Sequence, residues 1–313
     1  MKPPSTHSAP GLAVLLKVTS VALFTGMSAI VKVVSETVPA GEAVFFRSLL
    51  ALPVIVIWIW QRGDLSEALI PKNIMGHVWR GLFGTAAMAC NFAALGLLPL
   101  PEVTAIGYAA PIFTVILAVL LLGERIRFIR ISAVVLGLVG VLIVAWPRLS
   151  LSADELTAGA QLGALLVLAS CVLRAFVQIH IRTLVKTEHT AAIVFYFSLT
   201  SATLSLFTIP FGWVMPDPMT LLLLCLTGII GGIAQILVTS AYRFGAASML
   251  APYDYSSMLF AILLGYVFFA ELPTMMMLAG AALVISAGAL VIWRERQLGM
   301  ERGKARSVTD PKA

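Results

Sequence analysis

Apolar runs long enough to cross a bilayer recur along almost the whole chain, and this constrains its fold more than any other feature. A helix needs about 20 apolar residues to traverse the hydrocarbon core. Ten such runs can be drawn, over residues 12–34, 41–60, 74–96, 101–122, 130–147, 159–182, 190–213, 218–241, 247–270 and 274–293. They are continuous rather than alternating, which excludes a transmembrane β-barrel. Several connections are only a few residues long, so neighbouring helices run antiparallel. The chain is 60% hydrophobic and 12% charged, against about 25% charged in a soluble domain. A soluble enzyme, a disordered chain and a nucleic-acid binder are thereby excluded. The expectation is an all-α membrane protein of ten transmembrane helices.

Basic residues set the direction. With the N-terminus in the cytoplasm, the inner segments hold fifteen lysines and arginines and the outer connections hold only Arg148. Lys17, Lys32, Arg47, Arg80 and Arg174 lie within spans or at their edges. Such a bias predicts both termini inside, in a bacterial-type inner membrane. The first eleven residues are too short for a cleaved leader, and the basic tail 294–313 is placed near anionic lipid. Cys90, Cys171 and Cys225 are an odd number within apolar runs, so a disulfide framework is not expected.

The second half of the chain repeats the first. A shift of 147 residues aligns Ala94 through Glu124 with Ala241 through Glu271 without a gap, pairing Tyr108 with Tyr255 and Phe113 with Phe260. The same shift lays Gly81 and Gly84 on Gly228 and Gly231. A shift of 150 lays Val44 through Leu49 on Val194 through Leu199 and Lys32 on Arg182. The organisation expected is a tail over 1–11, a five-helix unit over 12–147, a linker over 148–158, a second unit over 159–293 and a tail over 294–313. Five spans is an odd number, so the two units enter the membrane in opposite directions. Inverted repeats suit an alternating-access carrier, because exchanging the conformations of the halves exchanges the open face.

Each unit has an aromatic-rich fourth helix ending in a small residue and glutamate (Gly123-Glu124, Ala270-Glu271), and the first carries Lys32 and Arg47. In these features the chain resembles the EamA-type branch of the drug/metabolite transporter superfamily, over roughly residues 12–293. The second unit departs at Phe197, where the first has Arg47, so the halves should not contribute equally to a site. The resemblance implies transport of a small metabolite. It is nearest to the bacterial riboflavin importers, which implies riboflavin uptake; export of amino acids or other amphiphilic metabolites and S-adenosylmethionine transport are the alternatives.

Ionised groups inside a bilayer usually meet a partner or a wet cavity. Thr25, Ser28, Lys32 and Ser35 make one polar stripe on the first span, although Lys32 near the helix end can also snorkel outward. Arg47 suits a carboxylate, a phosphate or an aromatic ring, or else a structural bond to backbone carbonyls. Ser170, Arg174 and Gln178 follow at four-residue steps on the sixth span. Asp254 lies at a depth similar to that of Arg174, which predicts a charge pair or shared water site between them and a proton-carrying role for Asp254. Tyr108 and Tyr255 can stack on a flat substrate or pack as anchors, and Asn91 and Gln235 can read polar groups. Pro111 and Pro252 can kink spans four and nine. The glycines are assigned to close helix packing.

No pattern suggests bond-making chemistry. His7, His77, His180 and His189 are scattered, and no nucleotide-binding loop is present, so neither an enzyme nor an ATP-driven pump is expected. No cofactor or metal is expected. The partners expected are a small-molecule substrate and the lipid bilayer, with no nucleic acid and room for a homodimer. A membrane-embedded enzyme acting on lipid head groups and a passive channel are the rivals from other classes.

Overall fold

The computed structural model describes residues 10–61, 69–122, 128–149, 158–184, 187–244, 250–286, 289–290 and 293. The Gly123-Glu124 motif, Arg125, Arg127, most of the linker and the basic tail lie outside them. The first unit contains α1 (Pro10–Val34), α2 (Ala40–Trp60), α3 (Ile74–Leu95), α4 (Leu100–Gly107), α5 (Ala109–Leu122) and α6 (Phe128–Leu149). The second contains α7 (Ala158–Leu184), α8 (Thr190–Leu206), α9 (Pro218–Phe244), a 3-10 turn (Ala251–Tyr255), α10 (Ser256–Phe269) and α11 (Met275–Ser286). Among the described residues these make ten passes and no strand. The α4–α5 pair forms the fourth pass, and the 3-10 turn with α10 forms the ninth.

Local chemistry sets the boundaries. Asn73 caps α3 by accepting from the Gly76 N–H at 2.8 Å, and the Asp217 carboxylate accepts from the Met219 and Thr220 amides at the start of α9. Each cap satisfies donors that a helix start leaves over. The seventh span, expected to reach residue 213, leaves α-helix at Leu206 and closes in a 3-10 turn over Ile209–Phe211. Pro210 removes a helical donor there, and Gly212 takes φ +93°, a left-handed value that glycine tolerates. The fourth span breaks at Tyr108, three residues ahead of Pro111, from which a kink is expected. A proline has no N–H to give its i−4 carbonyl, here that of Gly107, which instead lies 3.5 Å from the Cys171 Sγ of α7. Among the described residues, α1, α2, α7 and α9 contain uninterrupted stretches both long and apolar enough to span a membrane.

The two units pack as inverted copies. Burial along α7 follows that along α1 at a shift of 150 almost residue for residue, and α8 follows α2 in the same way. Contacts between elements obey the same exchange. α1 packs on α9 as α7 packs on α3, and α2 packs on α9 as α8 packs on α3. α1 also meets α10 as α7 meets α5, while α2 and α8 pack on each other. Each unit thus buries its first two spans largely against the other unit.

Small residues permit these approaches, as expected where lipid competes for apolar contact. A β-carbon on Gly81 would strike the Cβ of Thr200 at 2.6 Å, and one on Gly228 would meet the Cβ of Leu50 at 2.5 Å. Thr200 and Leu50 are themselves repeat equivalents. Large apolar side chains remain on the outer surface, among them Leu120, Leu259 and Phe268, each about 70% exposed. Water would not favour that surface, and a bilayer does. The molecule is a membrane-embedded, multi-pass bundle of two inverted five-helix repeats.

Candidate functional site

The broken fourth and ninth passes meet each other. Tyr108, at the break between α4 and α5, lies edge-on to Tyr255 with ring centroids 5.2 Å apart. The Tyr108 hydroxyl is 2.8 Å from Ser257 Oγ and donates toward the Tyr255 carbonyl at 3.2 Å. Ser257 in turn donates to the Asp254 carbonyl at 2.8 Å. The repeat-equivalent tyrosines therefore sit where the two units exchange, tied to the irregular backbone of the ninth pass. Non-helical backbone within a membrane is tolerated only inside protein or beside a wet cavity.

Asp254 pairs with Lys17 of α1, not with Arg174. The Lys17 Nζ lies 2.6 Å from the Asp254 carboxylate; the lysine side chain is buried and the aspartate side chain is 51% exposed. Arg174 instead donates to Cys171 Sγ at 3.3 Å, and its guanidinium lies beside Gly107. The pseudosymmetry supplies the reason. The ninth pass packs against α1, whereas α7, which carries Arg174, packs against the fourth. Asp254 and Gly107 are repeat equivalents, so Arg174 faces the glycine and Lys17 faces the acid. Equal depth placed Arg174 and Asp254 together on paper, but their helices face different neighbours.

Lys32 does not snorkel. Its ammonium donates to the Leu98 carbonyl at 2.8 Å and the Leu95 carbonyl at 3.3 Å, and pairs with Glu271 at 3.1 Å. It also lies 5.4 Å from the Phe269 ring centroid. The other Glu271 oxygen accepts the Leu100 amide at 2.9 Å. One lysine and one glutamate thus join α1, the start of α4 and the end of α10 at one membrane face. Their repeat counterparts, Arg182 and Glu124, have side chains outside the described residues.

Arg47 of α2 and Arg80 of α3 both approach Phe197 of α8, with guanidinium carbons 5.6 and 3.9 Å from the ring centroid. Both side chains are buried. Gln178 is exposed on α7 and accepts weakly from the Thr114 hydroxyl at 3.4 Å. Asn91 and Gln235 are partly buried on α3 and α9 and form no hydrogen bond among the described residues.

The profile of EamA-like transporters matches residues 11–146 and again 161–293. The chain belongs to the EamA-like transporter family. Among its EamA relatives in the drug/metabolite transporter superfamily, the pseudopaline exporter CntI of Pseudomonas aeruginosa is 31% identical over 279 residues, covering 88% of this chain and 93% of the relative. The S-adenosylmethionine uptake transporter of Rickettsia prowazekii is 26% identical over 253 residues, 81% of each protein. A solved crystal structure superimposes with a TM-score of 0.64 at 23% identity, covering 91% of this chain and 98% of that one; it shows the shared fold.

Within the EamA frame, seven of the nine residues singled out from sequence separate into four places rather than one, and Asn91 and Gln235 lie on α3 and α9. Tyr108 and Tyr255 touch at the junction of the units, with Asp254 adjacent. Lys32 lies at one membrane face, Arg174 and Gln178 follow α7, and Arg47 lies on the side where α2 and α8 meet. Lys17 and Arg80 were not singled out. Lys17 lies seven residues into α1, a depth that answers Asp254, and the exchange symmetry would have pointed to it. Arg80 has a sequence signal too: it is a cation six residues inside a helix with no acid near it in the chain.

Proposed function

We propose that this protein carries a small amphiphilic metabolite across a bacterial inner membrane by alternating access, with both termini cytoplasmic. The observation that carries the reading is the meeting of the two broken passes at Tyr108 and Tyr255. Inverted repeats whose discontinuous helices meet near mid-membrane place one site where either half can expose it. The charge bias of the loops supports the orientation.

An amino-acid-like cargo moving outward is preferred over riboflavin uptake. The relatives named for pseudopaline export and S-adenosylmethionine uptake offer no support for riboflavin. The tyrosine rings pack edge-on against each other instead of flanking a slot for a flat ring system. Lys17 and Asp254 supply the coupling element in this reading. A half-exposed carboxylate paired with a buried ammonium can take up a proton and release the lysine, which links protonation to the contact between α1 and the ninth pass.

Purified protein in liposomes, tested with labelled amino acids, S-adenosylmethionine and riboflavin with and without a pH gradient, decides among these. Saturable amino-acid flux driven by the gradient supports the reading. Saturable flux of riboflavin alone reverses the choice of cargo, and flux that never saturates rejects a carrier.

A further inference from the structure

Two arginines lie inside the bundle with no acid paired to them among the described residues. Arg47 and Arg80 are 4% and 9% exposed. Among the described residues neither forms an ion pair, and the Nε of each is buried without a hydrogen-bond partner. Arg47 starts seven residues inside α2 and Arg80 six residues inside α3, so each lies about 10 Å from a helix end at 1.5 Å per residue. On antiparallel passes these are opposite ends, and the two side chains converge on the Phe197 ring.

The backbone makes room for both guanidinium groups. A β-carbon on Gly84 would collide with the Arg80 guanidinium and meet the Phe197 ring at 2.7 Å, and one on Gly231 would meet Arg47 Nε at 3.1 Å. Gly84 and Gly231 are repeat equivalents, and so are Phe197 and Arg47. The same clearance exists in both units, filled by Phe197 and Arg80 in one and by Arg47 and Met27 in the other.

A purely structural role fits poorly. An arginine is among the costliest side chains to bury in a membrane, and two close together also repel. The face of Phe197 attracts a cation but does not neutralise one. A guanidinium holding a bundle together would spend its N–H groups on carbonyls or carboxylates, whereas here both Nε groups are unspent. The planar edges of two guanidinium groups match the oxygens of a carboxylate or phosphate. The surroundings, from α1, α2, α3, α8 and α9, lie inside the bundle and away from lipid, which points to a soluble cargo rather than a lipid head group.

We propose that Arg47 and Arg80 form an oxyanion-recognition site for the cargo, with Phe197 as the surface on which both guanidinium groups rest. This rests on the carrier reading above and makes the cargo an organic anion or zwitterion with a carboxylate or phosphate. Asymmetry between the halves then has a use: one unit contributes Arg47 where the other contributes the ring.

Thermal unfolding of the purified protein in neutral detergent tests this, followed by tryptophan fluorescence. The probes are glutamate, citrate and glycerol 3-phosphate, with glutamine and glycerol as uncharged controls. At least one anion raises the melting temperature of the wild type in a saturable way, and the controls do not; carboxylate and phosphate probes separate the two chemistries. Arg47→Met and Arg80→Met each weaken that protection at least tenfold while melting no lower than wild type without probe, because a buried charge has been removed. If a methionine variant fails to fold, Arg47→Lys and Arg80→Lys keep the charge but not the fork. Weaker anion protection in them supports the site, and undiminished protection overturns it. Equal protection by charged and neutral probes, protection by no anion, or protection by phosphatidylglycerol alone also overturns it. Flux measurements on the same wild-type preparation keep the two readings apart. Saturable transport of neutral cargo with no response to anions rejects the arginine site alone, whereas anion protection without any flux rejects the carrier reading.

Discussion

At the scale of single residues, buried charge and missing side chains explain most of what is particular to this bundle. The Lys17–Asp254 contact joins a buried ammonium to a carboxylate that is half open, and the proposed coupling is assigned to this pair. Asp254→Asn should remove the response of transport to a pH gradient while leaving exchange of cargo without a gradient measurable; an unchanged response in proteoliposomes would reject the coupling role. The glycines divide by what they face. Gly81 and Gly228 oppose the β-carbons of Thr200 and Leu50, which cannot withdraw without shifting a helix. Gly81→Ala and Gly228→Ala should each destabilise by about 1–3 kcal/mol through overpacking, offset by about 1 kcal/mol of helix propensity. The net loss should be read as a lower melting temperature. Gly84→Ala and Gly231→Ala press instead on side-chain ends, so they should cost less stability and more transport.

At the scale of elements, the connections are held by single acids placed on orphan backbone donors. Glu188, between α7 and α8, accepts the amides of Lys72 and Asn73 at 2.8 and 2.6 Å and faces His77 at 3.4 Å. Burial alone would raise its carboxyl, but the Asn73 and Lys72 amides and the His77 ring outweigh that and hold it below the usual carboxylate range. A depressed carboxylate contributes stability above its ordinary value of about 4, and that contribution fades as pH falls through the lowered folded value. Glu188→Gln should therefore melt lower than wild type at neutral pH, and the gap should close under acid; a gap that persists at low pH would contradict this account. The elements themselves were largely legible in sequence, because apolar length and proline position act locally. Pro111 marked the break of the fourth pass and Pro210 shortened the seventh. Partnerships between elements were less legible. Depth along a helix can be counted, but the direction a residue faces depends on which helices pack together, so Arg174 was matched with Asp254 and Lys17 was passed over. The position of Arg80 within a span is visible in sequence, but its meeting with Arg47 on Phe197, a residue of the other unit, is not.

At the scale of the whole molecule, the two units are interlocked rather than adjacent. α1 lies on α9 and α7 on α3, so neither unit can change its tilt without altering the other's walls. Gly140 and Gly280 bring α6 and α11 into backbone contact, each lying where a β-carbon would meet the other's carbonyl oxygen. The Lys32–Glu271 link holds α1, α4 and α10 together at one face. In the proposed alternating-access cycle, tilting one unit against the other would have to part that link. Counterflow in proteoliposomes tests this most directly: labelled cargo enters vesicles preloaded with the same unlabelled compound, with no ion gradient imposed. A carrier built on exchanging halves predicts transient accumulation above equilibrium that saturates with cargo concentration and depends on the preload. Entry that rises linearly with concentration and ignores the preload would contradict it.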